Sequence, residues 1–497
     1  MTRLRILALA LAVAWAPSRS QAAPEPRNIV FILADDLGYG ELGSYGQTKI
    51  RTPNLDRLAA EGTRFTQHYS GAPVCAPARC VLLTGRHLGK AEIRGNRQAK
   101  LSFPGAEEGQ HPISGRVSTL AETFRAAGFA TGAMGKWGLG PVGSSGDPNA
   151  RGFDLFFGYN CQALAHSFYP EHLWRNGEKV PLNARPIPGH RKQPEGEVRM
   201  ETYQSETYSS EPILREAELF IARNKDRRFF LYLPFIEPHA AMHPPRELVE
   251  SYPREWDREP YRGESGYLPH PRPRAAYAAM VTDLDRHVGR VRAALEKAGV
   301  LEDTLILFTS DNGTTHAGAA GKPGVGGVDA VFFNSVAGLR GLKGSLHEGG
   351  LRVPMIARWP RGIRAGAVET TPSYFADWYR TLCAAAGLPE PKDRDGANLW
   401  PLMTGAGKLA ERPPMVWIFP EYGGQVAVRM GDLKAVRKNL ARPNPKNRGQ
   451  WEVYDLAKDP SETRDLAAER PEVVAQAVAT LEREDAGNAL FPLDWRR

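Results

Sequence analysis

The chain is predicted to be an α/β protein. A central, mostly parallel sheet is covered by helices on both faces, and a smaller C-terminal antiparallel sheet plus helix follows. Three observations carry this. Continuous apolar runs end abruptly in polar residues, as strands buried on both faces do. These runs alternate with amphipathic helical stretches, the pattern of a parallel sheet. Past residue 399 the strand-like pieces become short and follow one another without helices between them.

The elements follow in order. Asn28–Ala34 (NIVFILA) is a buried strand closing on Asp35-Asp36, and Thr52-Pro-Asn-Leu-Asp opens a helix to Gly62. Thr119–Gly128 is a second helix, followed by a strand over Ala130–Met134. Ser209–Asn224 is a long amphipathic helix leading to the strand Phe229–Phe235 (FFLYLPF). Ala275–Gly299 is the longest helical pattern, with Thr304–Thr309 (TLILFT) after it. A strand over Val353–Trp359 and a helix over Thr371–Gly387 complete the main domain. Residues 389–395 turn to proline and charge, a linker composition. The expected organisation is a signal peptide over 1–23, a main domain over 24–395 and a subdomain over 396–497. The last contains VWIFPEY, QVAVRMG, LKAVRKN, WEVYDL and a helix over Glu472–Glu484.

With 42% hydrophobic and 24% charged among 497 residues, the chain is too apolar for disorder, and its 50 Gly and 40 Pro show no period. The formal charge is +8, and residues 1–23, with three Arg and no acid, lower it by three to +5 when removed. That mild excess suits an anionic substrate. Without zinc-finger spacing, an Arg-rich arm or RNP-type aromatics, no nucleic acid partner is expected. The densest basic stretch, Arg429, Lys434, Arg437, Lys438, Arg442, Lys446 and Arg448, reads as a solvated face, with a glycan-binding patch as the alternative. The N-terminus has a basic start, an apolar run too short to span a bilayer, and small residues around Ala22-Ala23. An exported protein without a membrane anchor, periplasmic or secreted, is expected.

In parallel sheets ligands bind beyond the carboxyl ends of the strands. Here Asp35 and Asp36, Lys136, His239, and Asp311 with Asn312 stand at four such ends. Oxygen-rich sets of this kind suit Ca²⁺ or Mg²⁺ rather than zinc. The segment GAPVCAPARCVLLTGR places Cys75 just before a helix read as opening at Arg79. A nucleophile there, beside a guanidinium, lies in a field that favours anions.

Cys75-Ala-Pro-Ala-Arg79, followed by Thr84-Gly85-Arg86, resembles the type I sulfatase signature. ILADDLGYG, TPNLDRLAAEGTRF, GKWGLG, Pro238-His239, SDNG, Lys343 with Glu348-Gly-Gly-x-Arg-Val-Pro, and WEVYDLAKDPSETRDLA stand in the family's order over roughly residues 27 to 470. The resemblance implies an alkaline-phosphatase-like fold and hydrolysis of sulfate esters, largely of carbohydrates. It implies that a maturation enzyme oxidises Cys75 to Cα-formylglycine, whose hydrate attacks sulfur. Asp35, Asp36, Asp311 and Asn312 would bind one Ca²⁺ (Mg²⁺ being the other choice) together with residue 75. Arg79, Lys136 and Lys343 would hold the sulfate oxygens. His239, with Lys343, would protonate the leaving alcohol.

One position departs from the family. Lys-Trp-His is usual where this chain has Lys136-Trp137-Gly138. His166 is the candidate replacement, or else a structural or substrate-facing residue, and His347 is expected to line the substrate pocket. Trp174, Tyr169 and Tyr422 are candidates for stacking on a sugar ring, whereas His68, His243 and His316 read as surface or packing residues. Cys161 could pair with Cys80 or Cys383, or all could stay reduced. Two other readings are a phosphonate monoester or phosphodiester hydrolase on the same scaffold and a non-catalytic glycan-binding protein. Sugar identity and oligomeric state lie beyond these motifs.

Overall fold

A computed structural model describes residues 25–101, 108–316, 324–409, 411–441 and 449–496. The expected signal peptide and Arg442, Lys446 and Arg448 lie outside the described residues. One sheet has ten strands, in the order Ala367–Glu369, Thr63–Phe65, Met355–Arg358, Thr304–Ser310, Asn28–Ala34, Phe229–Pro234, Ala130–Lys136, Leu155–Tyr159, His172–Arg175, Glu178–Pro181. From Thr304–Ser310 to Leu155–Tyr159 the pairing is parallel, while Met355–Arg358 and the hairpin at the far edge are antiparallel.

The strand Asn28–Ala34 shows why its sequence is continuously apolar. Ile29, Phe31 and Leu33 enter the core on one face; Val30, Ile32 and Ala34 enter the core on the other. Both faces are covered, so alternation with polar residues has no place. Its register sets Leu33 beside Thr309 and Pro234, and Ala34 beside Ser310. The residues that follow these strands therefore emerge level with one another.

Several boundaries differ from expectation. The helix read from Arg79 starts at Cys75 and runs to Thr84, with all ten residues buried. Pro77 lies in its first turn, where a missing N–H leaves no intrahelical bond unmade. Gly85, at φ +64°, ends it. The helix expected from Thr371 begins at Asp377, because Pro372 holds Thr371 extended and Ser373–Tyr374 pairs with His68–Tyr69. Five strands of three to five residues were not anticipated: Thr63–Phe65, Leu155–Tyr159, His172–Arg175, Glu178–Pro181 and Ala367–Glu369. Each is too short to display a period. The charged segment before residue 396 is anchored, since Asp395 accepts from the His87 N–H (3.1 Å) and from Lys90 Nζ (2.9 Å).

Met415–Phe419, Gln425–Met430, Leu433–Arg437 and Trp451–Asp455 form a separate antiparallel sheet. On one face Val416, Ile418, Val426 and Val428 pack with Val473, Ala477 and Leu481 of the helix Pro471–Glu484. On the other, Trp417, Phe419, Ala427 and Val436 join the main core. Two members of the basic stretch do not lie on a solvated face: Arg429 and Lys434 are buried at 2% and 0% exposure. They point between sheet and main body, where each finds polar partners. All four cysteines are buried and unpaired, so neither disulfide pairing occurs. Among the described residues no helix is long and apolar enough to cross a membrane.

Candidate active site

Cys75 is the first residue of its helix, 2% exposed, and polar groups from three other segments surround its sulfur. Asp35 Oδ1 is 3.4 Å away, Lys343 Nζ 3.5 Å and Lys136 Nζ 3.8 Å. The Ala76 N–H, at the positive end of the helix dipole, donates to Asn96 Oδ1 (2.9 Å). Arg79, one turn on, donates from Nη2 to Asp35 Oδ2 and Asp311 Oδ2 (2.9 Å each) and from Nη1 to the Lys136 carbonyl. Lys136 Nζ donates to Asp35 Oδ2 (2.5 Å), and Lys343 Nζ lies 2.7 Å from Asp36 Oδ1. Lys343 is held by its own N–H on the Thr314 carbonyl (2.9 Å), and Gly344 by the Pro73 carbonyl (2.9 Å). The four strand ends do converge.

Asp36 sits in the left-handed region at φ +65°, and its N–H donates to Asp311 Oδ1 (3.2 Å). Asn312 Nδ2 donates to Asp36 Oδ1 (2.7 Å), while its Oδ1 is buried without a partner. Ligand atoms of Asp35, Asp36, Cys75 and His239 lie within 4.8 Å of one another. Three carboxylates, an orphaned amide oxygen and little exposure fit a hard divalent cation such as Ca²⁺.

Charge is balanced closely. Asp35, Asp36 and Asp311 face Arg79, Lys136 and Lys343, three against three. Burial opposes ionisation of both Asp35 and Asp311. At Asp35 the surrounding cations, Lys136 foremost and Arg79 and Lys343 with it, prevail and hold the carboxyl well below the usual range. At Asp311, burial and the neighbouring Asp35 push it up to about 6. Burial, then Asp35, raises the Cys75 thiol, which stays protonated. A divalent cation added to this set leaves a net positive centre for an anion.

His239 Nε2 is 3.6 Å from Asp36 Oδ2, and Nδ1 lies 2.5 Å from the Ala240 carbonyl, so Nδ1 carries a proton. Burial, then Lys136 and Lys343, lowers its pKa well below the usual value. His166 stacks on it with ring centroids 5.3 Å apart. The tautomer of His166 follows from its neighbours. The Tyr267 N–H donates to His190 Nδ1 (3.0 Å), which leaves the neutral His190 proton on Nε2, facing His166 Nδ1 at 3.0 Å. His166 then carries its proton on Nε2. Burial, His239 and Lys136 keep it neutral.

Other candidates move. His347 does not line this pocket: it is 3% exposed and turned toward the C-terminal sheet, with Nδ1 3.1 Å from Glu462 Oε2 and Nε2 3.0 Å from Lys438 Nζ. Tyr169 is buried, and Trp174 is half-buried with its indole N–H on Glu108. Tyr422 is 50% exposed and lies against Gly344 beside Lys343. His316, read from sequence as packing, donates or accepts at Tyr422 Oη (2.6 Å) and stacks on its ring. His68 and His243 are buried packing residues. Sequence reasoning missed His190, Tyr267 and Asn96, which belong to no motif and reach the site only through folding.

Fold and site together define an alkaline-phosphatase-like hydrolase of anionic esters. The sulfatase family profile matches residues 27–388, and that of the N-sulphoglucosamine sulphohydrolase C-terminal region matches residues 342–485. Human arylsulfatase A is 33% identical over 530 residues, covering 96% of this chain and 90% of its own. Dog N-acetylgalactosamine-6-sulfatase is 33% identical over 444 residues, covering 86% and 74%. The crystal structure of Ps i-CgsB in complex with k-i-k-neocarrahexaose superposes with a TM-score of 0.74 at 26% identity, covering 95% and 96%. The chain belongs to the sulfatase family, enzymes that hydrolyse sulfate esters.

Proposed function

We propose that this protein is an exported sulfatase that removes sulfate from a sulfated carbohydrate, using formylglycine made from Cys75 by a maturation enzyme, and one Ca²⁺. Residues 24–395 would form the catalytic domain and 396–497 the subdomain behind it. The observation that carries this is the convergence of Asp35, Lys136 and Lys343 on residue 75 within 3.4 to 3.8 Å. The sugar assignment is supported by the named activities of the N-acetylgalactosamine-6-sulfatases and by the carrahexaose held by the structural neighbour.

Asp35, Asp36, Asp311 and Asn312 would hold the cation, which when bound supplies charge neutralisation at the sulfate oxygens. Formylglycine supplies a hydrated aldehyde in place of the protonated thiol. Arg79 keeps Asp35 and Asp311 in place through its fork. Lys136 and Lys343 face the same point and stabilise the transferring group's negative charge. His239, with its Nδ1–H fixed on the Ala240 carbonyl, presents an unprotonated Nε2 to the leaving alcohol oxygen, and would deliver a proton there only as the imidazolium, which the charge of a bound anion favours. His166 offers a fixed neutral N–H beside it, and Tyr422 a ring at the rim for the sugar.

The test is anion release from a panel of sulfated mono- and disaccharides, with aryl sulfate, phosphonate monoester and phosphodiester controls. The protein is co-expressed with a maturation enzyme and supplied with Ca²⁺. Sulfate should be freed by the wild type and not by Cys75→Ala. Faster cleavage of the phosphorus esters, with formylglycine present by peptide mass, would overturn the reading.

A further inference from the structure

Gln162 is an unpaired buried polar residue beside the end of the Ala130–Lys136 strand. Its side chain is 4% exposed, and its Nε2 is buried with no hydrogen-bond partner. Its backbone N–H donates to Gln110 Oε1 (2.8 Å). An unpaired buried amide forgoes the hydrogen bonds it made in water, and the native fold keeps this one.

Its position is set by a glycine. A Cβ at Gly138 would lie 2.3 Å from Gln162 Nε2, 2.7 Å from its Cγ and 2.8 Å from its Cδ. The Gln162 amide therefore occupies the volume of a side chain at residue 138, two positions after Lys136. Gly138 is at φ +90°, which a side chain would strain further. One turn later on the same segment, His166 stacks on His239 at 5.3 Å. Residues 160–166 thus meet the site twice, beside the end of the Lys136 strand and beside His239.

We infer that Gln162 is a substrate-anion donor: its amide N–H₂ binds a sulfate oxygen beside Lys136, supplying from the loop after the Leu155–Tyr159 strand what residue 138 lacks. This deepens the function proposed above and rests on it. It also revises the sequence expectation, since Gln162 rather than His166 takes the place of the absent side chain. The chemistry favours an anion over a neutral ligand, because an amide donor in a dry site gains most from a charged acceptor. Sulfate would repay the amide for its lost solvation when it binds.

The decisive variant is Gln162→Met, which keeps the volume and removes the polar atoms. A donor kept for packing alone predicts a Met variant as stable or more stable, with unchanged chemistry. The proposed role predicts an unchanged or higher Tm without anion, a smaller Tm rise on adding inorganic sulfate, and a kcat/KM about tenfold or more lower on aryl sulfate. Gln162→Glu retains shape and polarity, and places a charge that should abolish the sulfate-induced rise even if the Met variant folds poorly. Sulfate responses and kcat/KM within twofold of wild type in the folded variants would overturn the assignment. Wild-type protein that never cleaves sulfate would defeat the proposed function instead. The sulfate-induced Tm shift still reports on Gln162 in that case.

Discussion

Two clusters of buried charge share one stretch of chain and behave oppositely. Lys343 reaches the surroundings of Cys75, whereas His347 and Glu348, a few residues on, turn into the boundary with the C-terminal sheet. There Lys434, fully buried, bridges Glu348 Oε1 (2.9 Å) and Glu462 Oε1 (3.0 Å). Tyr69 Oη donates to Glu348 Oε2 (2.6 Å), and the Glu348 N–H donates to Glu462 Oε2 (2.8 Å). Burial opposes the charge of Glu462, but Lys434 and His347 pull its carboxyl down to about 2. In this cluster the charges face one another. In the first, Arg79, Lys136 and Lys343 likewise face Asp35, Asp36 and Asp311, but the Asn312 Oδ1 and the Gln162 Nε2 are left without hydrogen-bond partners. Equal burial therefore does not imply equal purpose. A closed cluster holds two parts together, and an open one is arranged for something that arrives.

The comparison breaks if mutation fails to separate activity from stability. The largest effect is expected at Cys75→Ala, which should reduce sulfate release by about 10³-fold or more while leaving the denaturation midpoint nearly unchanged. Lys434→Met should do the reverse. It strands two buried carboxylates and should cost about 3–5 kcal/mol in urea unfolding, with kcat/KM of the remaining folded protein within a few-fold of wild type. Comparable activity losses in both variants would show that the two clusters act as one.

Glu41 sharpens the contrast, being a buried acid bonded to the Gly38 N–H, the Tyr277 hydroxyl and the Thr314 hydroxyl. Burial pushes its carboxyl up to about 7 from 4.5. Protonation is thus favoured in the folded state. The associated stability is complete below about pH 4.5, declines as pH rises and is lost above about 7. Glu41→Gln should flatten that part of the stability curve, a difference of about 1–3 kcal/mol across the window, read from urea midpoints at several pH values. The smallest effect belongs to His347→Ala. It should lower stability by about 1–2 kcal/mol and leave KM unchanged, since the ring faces Glu462 and Lys438 rather than substrate. A raised KM would restore His347 to the pocket.

Much of the site was legible because its residues sit at strand ends or inside contiguous motifs. Asp35-Asp36 and Asp311-Asn312 interrupt apolar runs where a chain leaving a buried sheet must turn polar, and Cys75 to Arg79 are one helical turn apart. Those features are local, and local sequence suffices for them. The partners of these residues were not legible. His190 finds His166 through a loop with no periodicity, Gln162 meets Gly138 only because two neighbouring parallel strands end side by side, and His347 looked like a site residue because it follows Lys343. The direction a side chain takes depends on the local turn and on what packs against it. Adjacency in sequence therefore placed His347 wrongly.

The central parallel sheet, the helical layers and the C-terminal antiparallel sheet follow from patterning alone, since burial on two faces forces continuous apolar strands and the helices between them. Family membership and the motif around Cys75 follow from contiguous residues in the same way. The mixed edges of the sheet, the helix start at Cys75, the inward turn of Arg429 and Lys434, and the open or closed state of each charge cluster needed the folded chain. These depend on contacts between residues far apart in sequence, where burial, hydrogen bonding and available volume are settled together.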